Sequence, residues 1–155
     1  MSPDATPRSA PLDLCVRPAS LAEIIDLRNE VIIQGTGRTS PEFPGDYDPS
    51  TLHMGAFVGD RNVGCATFLE RSWEDEPAWQ LRGMATARDV RGGGIGARLL
   101  RESEAVLAQR SPIRLLWCNA RNVAIPFYVK IGWTIETDEF LTPGIGMQRK
   151  MTKRY

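Results

Sequence analysis

The stretch from Asp89 to Leu100, DVRGGGIGARLL, places an arginine and four glycines directly before a helix-forming segment. Glycine permits positive φ angles and leaves no side chain to keep a ligand away from the backbone. The free amides at the start of a helix lie at the positive end of its dipole and favour an anion. An arginine adds charge-assisted hydrogen bonds to phosphate oxygens. We therefore predict a pyrophosphate site formed by Arg91, Gly92, Gly93, Gly94, Ile95, Gly96 and Ala97.

Three other kinds of glycine-rich segment are alternatives here: a flexible turn, a nucleoside triphosphate loop and a dinucleotide-binding fingerprint. A flexible turn needs glycine without any ligand. A nucleoside triphosphate loop ends in Gly-Lys-Ser/Thr, whereas this segment continues as Gly96-Ala97-Arg98, which excludes that loop. A dinucleotide fingerprint fits Gly92, Gly94 and Ala97 in spacing, but it belongs after the first strand of a βαβ unit. Too few such units surround the segment, so a nicotinamide oxidoreductase is a distant alternative.

Strand and helix patterns alternate around this segment, in the predicted order β, α, β, β, β, α, β, α, β, β. The predicted strands cover residues 12–19, 53–58, 62–70, 79–86, 113–120, 133–137 and 144–151, and the predicted helices cover residues 21–32, 95–109 and 121–131. Ser20 and Glu23 form a capping box for the first helix. Pro126 is compatible with the third helix only in its first turn. The segment 34–50 is a long loop, and such loops tend to be functional.

Composition limits the class of protein. A chain of 155 residues with 42% hydrophobic residues fits one domain, and we assign residues 12–155 to it after a disordered tail, residues 1–11. Lys plus Arg and Asp plus Glu both number 19, so neither a nucleic acid nor a membrane is expected as a partner. We find no signal peptide and no apolar run of about 20 residues, which predicts a cytoplasmic protein. Cys15, Cys65 and Cys118 are predicted to be reduced core thiols, and no metal site is expected.

Three sequence segments carry a family resemblance. VRGGGIGARLL resembles the Arg/Gln-x-x-Gly-x-Gly/Ala signature of the GNAT N-acyltransferases, and the preceding LRGMAT is similar to the fourth strand of that family. NVAIPFYVKIGW resembles the family segment Asn-x-Ala-x-x-Phe-Tyr-x-x-x-Gly-Phe, with tryptophan at the last position. The matching residues are Arg91, Gly94, Gly96, Asn122, Ala124, Phe127, Tyr128 and Gly132. The resemblance runs roughly from Val63 to Trp133.

The resemblance implies an α+β fold of one domain. Its sheet would be mixed, mostly antiparallel, splayed between the fourth and fifth strands and flanked by helices. Acetyl-CoA, the implied acyl donor, would lie in that cleft, with its pantetheine amides paired to the backbone of Met84, Ala85 and Thr86. Asn122 is the family's position near the cofactor, although an asparagine that opens a helix serves equally well as a cap.

The implied reaction is N-acetyl transfer, in which a primary amine attacks the thioester directly. Tyr128 matches the general acid that protonates the leaving sulfur, and the backbone N–H near Ala85 would polarise the carbonyl. The alternative role of Tyr128 is core packing. Gln80 stands where some relatives carry a glutamate base, which leaves Glu70, His53 or water. His53 could instead be a hairpin residue that is hydrogen-bonded to backbone.

The acceptor is specified only as a small-molecule or peptide amine. Two loops expected to border the cleft carry carboxylates that either attract a cationic amine or are simply solvated: Glu42, Asp46, Asp48, Glu74, Asp75 and Glu76. The alternative function is a non-catalytic acyl-CoA-binding sensor or interaction module, which has no need of an acid at Tyr128. Edge strands of the sheet could pair two copies into a homodimer.

Overall fold

The computed structural model describes residues 13–155, and the predicted tail, residues 1–11, lies outside this range. The described residues form one eight-stranded sheet with helices on both faces. Its strands are β1 (Leu14–Pro18), β2 (Leu52–Val58), β3 (Arg61–Glu70), β4 (Trp79–Thr86), β5 (Leu115–Arg121), β6 (Thr134–Ile135), β7 (Phe140–Thr142) and β8 (Gly146–Arg154). The helices are α1 (Leu21–Arg28), α2 (Ile95–Arg110) and α3 (Ile125–Lys130), with a π-turn at Asn29–Ile33 and 3₁₀ turns at Arg88–Val90 and Asn122–Ala124.

The sheet is split in its middle. The strand order is β1-β2-β3-β4-β5-β8-β6, with β7 also paired to β8. All neighbours are antiparallel except β4 and β5, which run parallel and pair only at Trp79 with Leu116 and at Gln80 with Trp117. From Leu81 onward, one edge of β4 therefore has no partner strand. This arrangement confirms the predicted mixed, mostly antiparallel sheet with a splay between the fourth and fifth strands.

Local signals account for the helix boundaries. The Ser20 hydroxyl accepts a hydrogen bond from the Glu23 N–H at 3.3 Å, which confirms Ser20 as the N-cap of α1. The predicted capping box is only half formed, because the Glu23 carboxylate accepts from Arg17 at 2.7 Å. Pro126 lies in the first turn of α3, the one place where its missing N–H costs little. The first predicted helix is continuous, whereas α1 ends at Arg28 and a π-turn carries the chain on to Ile33.

Three details of the sequence prediction are wrong. Cys15 is exposed on the edge strand β1, whereas Cys65 and Cys118 are buried, and burial raises the pKa of each of these two thiols to about 12. Arg121 ends β5 instead of opening a helix. The three-residue strand β7, Phe140–Thr142, was not predicted, because so short a segment shows no alternation of its own.

Helices cover the two faces of the sheet unequally. On one face, α2 and α3 enclose a large apolar cluster that includes Phe68, Leu99 and Leu116. On the other face, α1 packs with Ile24 and Leu27 against β2, β3 and β4. No helix among residues 13–155 is long and apolar enough to span a bilayer.

A buried ion pair anchors the long loop, residues 34–50, to the face of the sheet that α1 covers. Arg28 is fully buried at the end of α1, and its guanidinium donates to both carboxylate oxygens of Asp46 at 2.7 and 3.1 Å. The guanidinium also donates to Pro41 O at 3.0 Å and to Thr67 Oγ1 at 2.7 Å. Asp46 in turn accepts the N–H of Phe43 at 2.6 Å. The loop is therefore held by charge-assisted hydrogen bonds at residues 41 to 46.

A bulge in β4 sets the direction of its side chains. Thr67 pairs with Arg82 and Cys65 pairs with Ala85, so that two residues of β4, Gly83 and Met84, stand opposite one residue of β3. Gly83 has φ +63°, and a Cβ there would lie 2.9 Å from Arg28 Nε. Because of the extra residue, Arg82 and Ala85 face the loop side of the sheet while Met84 faces α2 and α3.

We expect Asp46→Asn to lower the free energy of unfolding by about 3–5 kcal/mol, because it leaves the buried Arg28 guanidinium without a counter-ion. Denaturant unfolding followed by tryptophan fluorescence measures the change. Asp48→Asn is the matched control. Its carboxylate pairs with Arg71 at 3.6 Å and both side chains are about half exposed, so a loss of at most about 1 kcal/mol is expected. Equal losses in the two variants would contradict an anchoring role for Asp46.

Candidate active site

The start of α2 presents free amides next to open space. Gly92 and Gly94 have φ +85° and +79°, and a Cβ on either residue would meet no atom within 4 Å. Gly94 is the N-cap of α2, and the first helical bond runs from Arg98 N–H to Gly94 O at 3.1 Å. The N–H groups of residues 95–97 therefore have no partner within the helix. The arrangement has the amides, the dipole and the room that an anion site needs.

Gly96 has a packing role that the sequence did not indicate. A Cβ at this position would lie 3.2 Å from Met84 Cε and 3.2 Å from the Phe127 ring. Glycine here therefore lets α2 approach both β4 and α3. The contact brings the start of α2 against the cleft-lining part of β4, whether or not a ligand uses the Gly96 amide.

Arg91 links the glycine-rich segment to the end of β4. Its side chain is exposed, and Nε donates to Thr86 O at 3.3 Å. Thr86 and Ala85 pair with Gly64 and Cys65 of β3 on one edge of β4, and the other edge lies beyond the last pair with β5. The predicted pyrophosphate site and the predicted pantetheine edge are thus adjacent in the fold.

Tyr128 of α3 reaches the same part of β4 from the α2 side of the sheet. It is 8% exposed, and its hydroxyl lies 3.6 Å from Met84 Sδ. Its ring packs edge-on against Phe127 and Trp133, with centroids 5.2 Å apart in each pair. Desolvation, and secondarily electrostatic repulsion from Cys118, raises the Tyr128 pKa well above its ordinary value. The phenol therefore keeps its proton throughout the neutral range, although a thioether is a weak acceptor for it.

Two other predicted site residues have internal partners. The Asn122 side chain donates to Glu139 at 2.8 Å, and it does not cap the turn that follows, so the predicted cap is wrong. His53 is buried, with Nδ1 2.8 Å from Thr67 Oγ1 and Nε2 2.9 Å from the Asp46 carbonyl. Both ring nitrogens are thus engaged, as the backbone-bonded alternative expected. Glu70 is exposed at the end of β3, opposite Trp79 and far along β4 from Ala85.

Four of the six loop carboxylates have a partner within the protein. Asp46 is neutralised by Arg28, Asp48 pairs with Arg71, and Glu76 pairs with Arg154 at 2.7 Å. The Glu42 carboxylate accepts the Tyr47 hydroxyl at 2.8 Å. Glu74 and Asp75 are exposed, with φ +47° and +67°, in the turn that precedes β4. Attraction of a cationic amine by the loops would therefore depend on these two residues and on Glu42. Within the described part of the chain, no group of His, Cys, Asp and Glu side chains could hold a metal ion.

The sequence reasoning missed a cluster of residues on the loop side of β4. Phe43, Arg38 and Arg82 meet there, with the Arg82 guanidinium carbon 4.7 Å from the centre of the Phe43 ring. One signal was available, because Arg82 interrupts the apolar pattern of β4 at a position that would otherwise be buried. Phe43 carried no signal, since its place depends on the buried contacts of a loop.

Comparison with known proteins agrees with this geometry. The family model for the Acetyltransferase (GNAT) family matches residues 22–133. The N-acetyltransferase YitI of Bacillus subtilis, itself described as uncharacterized, is 28% identical over 141 residues, which are 89% of this chain and 94% of YitI. Escherichia coli ElaA superposes with a TM-score of 0.77 at 16% identity, over 91% of this chain and 99% of ElaA. A GNAT acetyltransferase from Elizabethkingia anophelis, solved with acetyl-CoA bound, gives 0.66 at 18% identity, over 94% and 100%. Because the family match spans well over half of its length, the chain belongs to the GNAT family of acetyltransferases.

Proposed function

We propose that this chain transfers an acetyl group from acetyl-CoA to a primary amine, by direct attack of the amine on the thioester. Membership of the GNAT family supports acyl transfer in general. The observation that carries the finer proposal is the position of Tyr128, whose buried hydroxyl lies against Met84 at the unpaired part of β4. There the hydroxyl would stand beside the sulfur of a thioester bound along that strand.

The residues of the cleft fit an acyl-CoA. The glycine-rich segment would hold the pyrophosphate through the free amides of residues 95–97 and the Arg91 guanidinium. The backbone of Met84 and Thr86 would pair with the pantetheine amides as an added strand does. Bound acetyl-CoA supplies an acyl carbonyl that is activated as a thioester. The acetyl-CoA complex of the Elizabethkingia relative supports this choice of donor.

Three groups would serve the chemical step. The Ala85 N–H would stabilise the negative charge that develops on the carbonyl oxygen as the amine nitrogen attacks. The Tyr128 hydroxyl would donate to the sulfur and release its proton as the carbon–sulfur bond breaks. Since His53 is engaged through both nitrogens and Glu70 is exposed at the far end of β3, we assign the proton of the attacking amine to water.

A binding module without catalysis accounts less well for Tyr128. Its hydroxyl is buried, and among the described residues its one hydrogen-bond partner is the Met84 thioether. A buried hydroxyl without a strong acceptor costs free energy that a phenylalanine would avoid. Proton donation to the sulfur of a bound thioester would account for a hydroxyl at this buried position.

We expect Gly94→Val to weaken CoA binding by at least about tenfold with the fold retained, because a branched side chain would enter the open space at the start of α2 and resist a positive φ. Calorimetric titration with CoA, beside circular dichroism, measures both effects. Gly144→Val is the matched control, because Gly144 also has a positive φ of +81° and open surroundings, in the turn between β7 and β8. Unchanged CoA affinity in folded Gly94→Val would remove this segment from the site.

We expect Tyr128→Phe to lower turnover by about 10²-fold or more while the acetyl-CoA affinity stays nearly unchanged, because the ring remains and the proton donor is lost. An amine found by screening for released CoA thiol serves as acceptor. Burial holds the Tyr128 pKa well above 10, so its proton is present at every pH below that value. The ratio of wild-type to variant rates should therefore be constant from about pH 6 to 9.

Tyr155→Phe is the control for this experiment. It also removes a tyrosine hydroxyl, one that donates to Ile113 O at 2.7 Å in another part of the molecule. Its turnover should remain close to that of the wild type. Equal turnover of wild type and Tyr128→Phe across the pH range would make Tyr128 a packing residue and leave the protonation of sulfur to water.

A further inference from the structure

Three arginines surround one aromatic ring on the loop side of the cleft. The guanidinium carbons of Arg28, Arg38 and Arg82 lie 4.3, 5.1 and 4.7 Å from the centre of the Phe43 ring. Arg28 is neutralised by Asp46. Over residues 13–155, the guanidinium groups of Arg38 and Arg82 have neither a hydrogen bond nor a carboxylate partner. The cluster therefore holds two cations without a counter-ion.

Arg82 lies where β4 and β5 begin to separate. It lies two residues past Gln80, the last residue of β4 that pairs with β5, and the bulge turns it to the same face as Ala85. At about 3.3 Å per residue, Arg82 and Ala85 are separated by about 10 Å of strand or slightly less. A small molecule and the flexible Arg82 side chain can cover that span together.

Lysine on the other side of the cleft adds to the positive charge. Lys150 of β8 donates to Asn119 Oδ1 at 2.9 Å, and its ammonium lies 4.9 Å from the centre of the Trp117 ring. Asn119 follows Trp117 by two residues on β5, as Arg82 follows Gln80 on β4. In the part of the chain that the structure describes, Lys150 has no ion pair either. Cations therefore stand on both sides of the opening.

The nearby carboxylates offset this charge only in part. Asp46 and Asp48 are already paired with Arg28 and Arg71. Desolvation lowers the pKa of the half-buried Arg82, and repulsion by Arg38 lowers it further, while the attraction of Asp46 opposes the shift without reversing it. A guanidinium that is both partly desolvated and repelled by its neighbours is stabilised by an incoming anion.

We propose that the acceptor is an amine that carries a carboxylate, and that Arg82 and Arg38 bind this carboxylate while the amine reaches the carbonyl held at Ala85. The proposal rests on the proposed acetyl transfer. The planar donor fork of arginine matches a carboxylate in two parallel hydrogen bonds, which fixes the direction of the molecule as well as its position. Amino acids are the smallest members of this class.

Paired acceptors test the preference directly. L-Amino acids with a single carboxylate are compared with their α-amides, and spermidine represents cationic amines. We expect the carboxylate forms to show kcat/KM values at least about tenfold higher, the effect of one charge-assisted hydrogen bond pair. Equal or better rates with the amides or with spermidine would overturn the proposal. A preference for phosphoethanolamine over every amino acid would replace the carboxylate with a phosphate and overturn it as well.

Variants of Arg82 locate the preference in the structure. Arg82→Gln should raise KM for carboxylate acceptors about 10- to 100-fold, raise KM for ethanolamine much less, and leave the acetyl-CoA affinity unchanged. Arg82→Lys should recover only part of the loss, because it keeps the charge without the donor fork. Arg110→Gln, at the far end of α2, is the control with the same change of charge. An unchanged preference in Arg82→Gln would refute the assignment.

Binding measurements separate this proposal from the reaction on which it depends. Tryptophan fluorescence reports amino-acid binding without turnover, since Trp117 forms the last pair between β4 and β5 and its ring centre lies 4.9 Å from the Lys150 ammonium. If the protein binds acetyl-CoA but acetylates only uncharged or cationic amines, the proposed acetyl transfer stands. The proposal of a carboxylate-bearing acceptor is then wrong. Failure to bind acetyl-CoA, with no thiol release from any acceptor, contradicts the proposed function itself. No binding of any carboxylate-bearing amine overturns the proposal whatever the outcome for acetyl-CoA.

Discussion

The buried pair of Arg28 and Asp46 holds together the half of the cleft that the sheet does not build. Removing two charges from water is costly, and the cost is offset here by four hydrogen bonds that the guanidinium donates and by one that Asp46 accepts from the Phe43 N–H. Among residues 13–155, the buried Nε of Arg28 has no hydrogen-bond partner. An apolar pair could stabilise the fold equally well, but it would not specify one loop conformation. The pair thereby sets the position of Phe43, and through it the surroundings of Arg38 and Arg82.

The bulge at Gly83 determines which side chains of β4 face each side of the sheet. It turns Met84 toward Tyr128 and turns Arg82 and Ala85 toward the loop. The proposed proton donor to sulfur and the proposed acceptor contacts then approach the same strand from opposite sides. A regular strand would place Arg82 and Met84 on one face, and the two sets of groups would compete for the same space.

Local patterns predicted the elements of the sheet well, and the cleft was predicted only through a family resemblance. The bounds of β4 and the start of α2 follow from alternation and from glycine, and the Ser20 cap follows from its spacing to Glu23. Asp46 looked like a solvated loop carboxylate, because its partner Arg28 lies 18 residues away and no local pattern joins them. The loop side of the site therefore had to come from the structure.

The splay between β4 and β5 also affects the tendency of the protein to self-associate. Unpaired strand backbone invites another chain to add a strand, and long exposed edges promote aggregation. Here the unpaired edge of β4 lies in the middle of the sheet, next to β5, and carries the charged Arg82 near its start. The edge strand of another sheet would have to enter between β4 and β5 to pair there, whereas a single flexible chain can add to β4 as one strand. The fold can thus keep a hydrogen-bonding edge in its interior without exposing it to self-association.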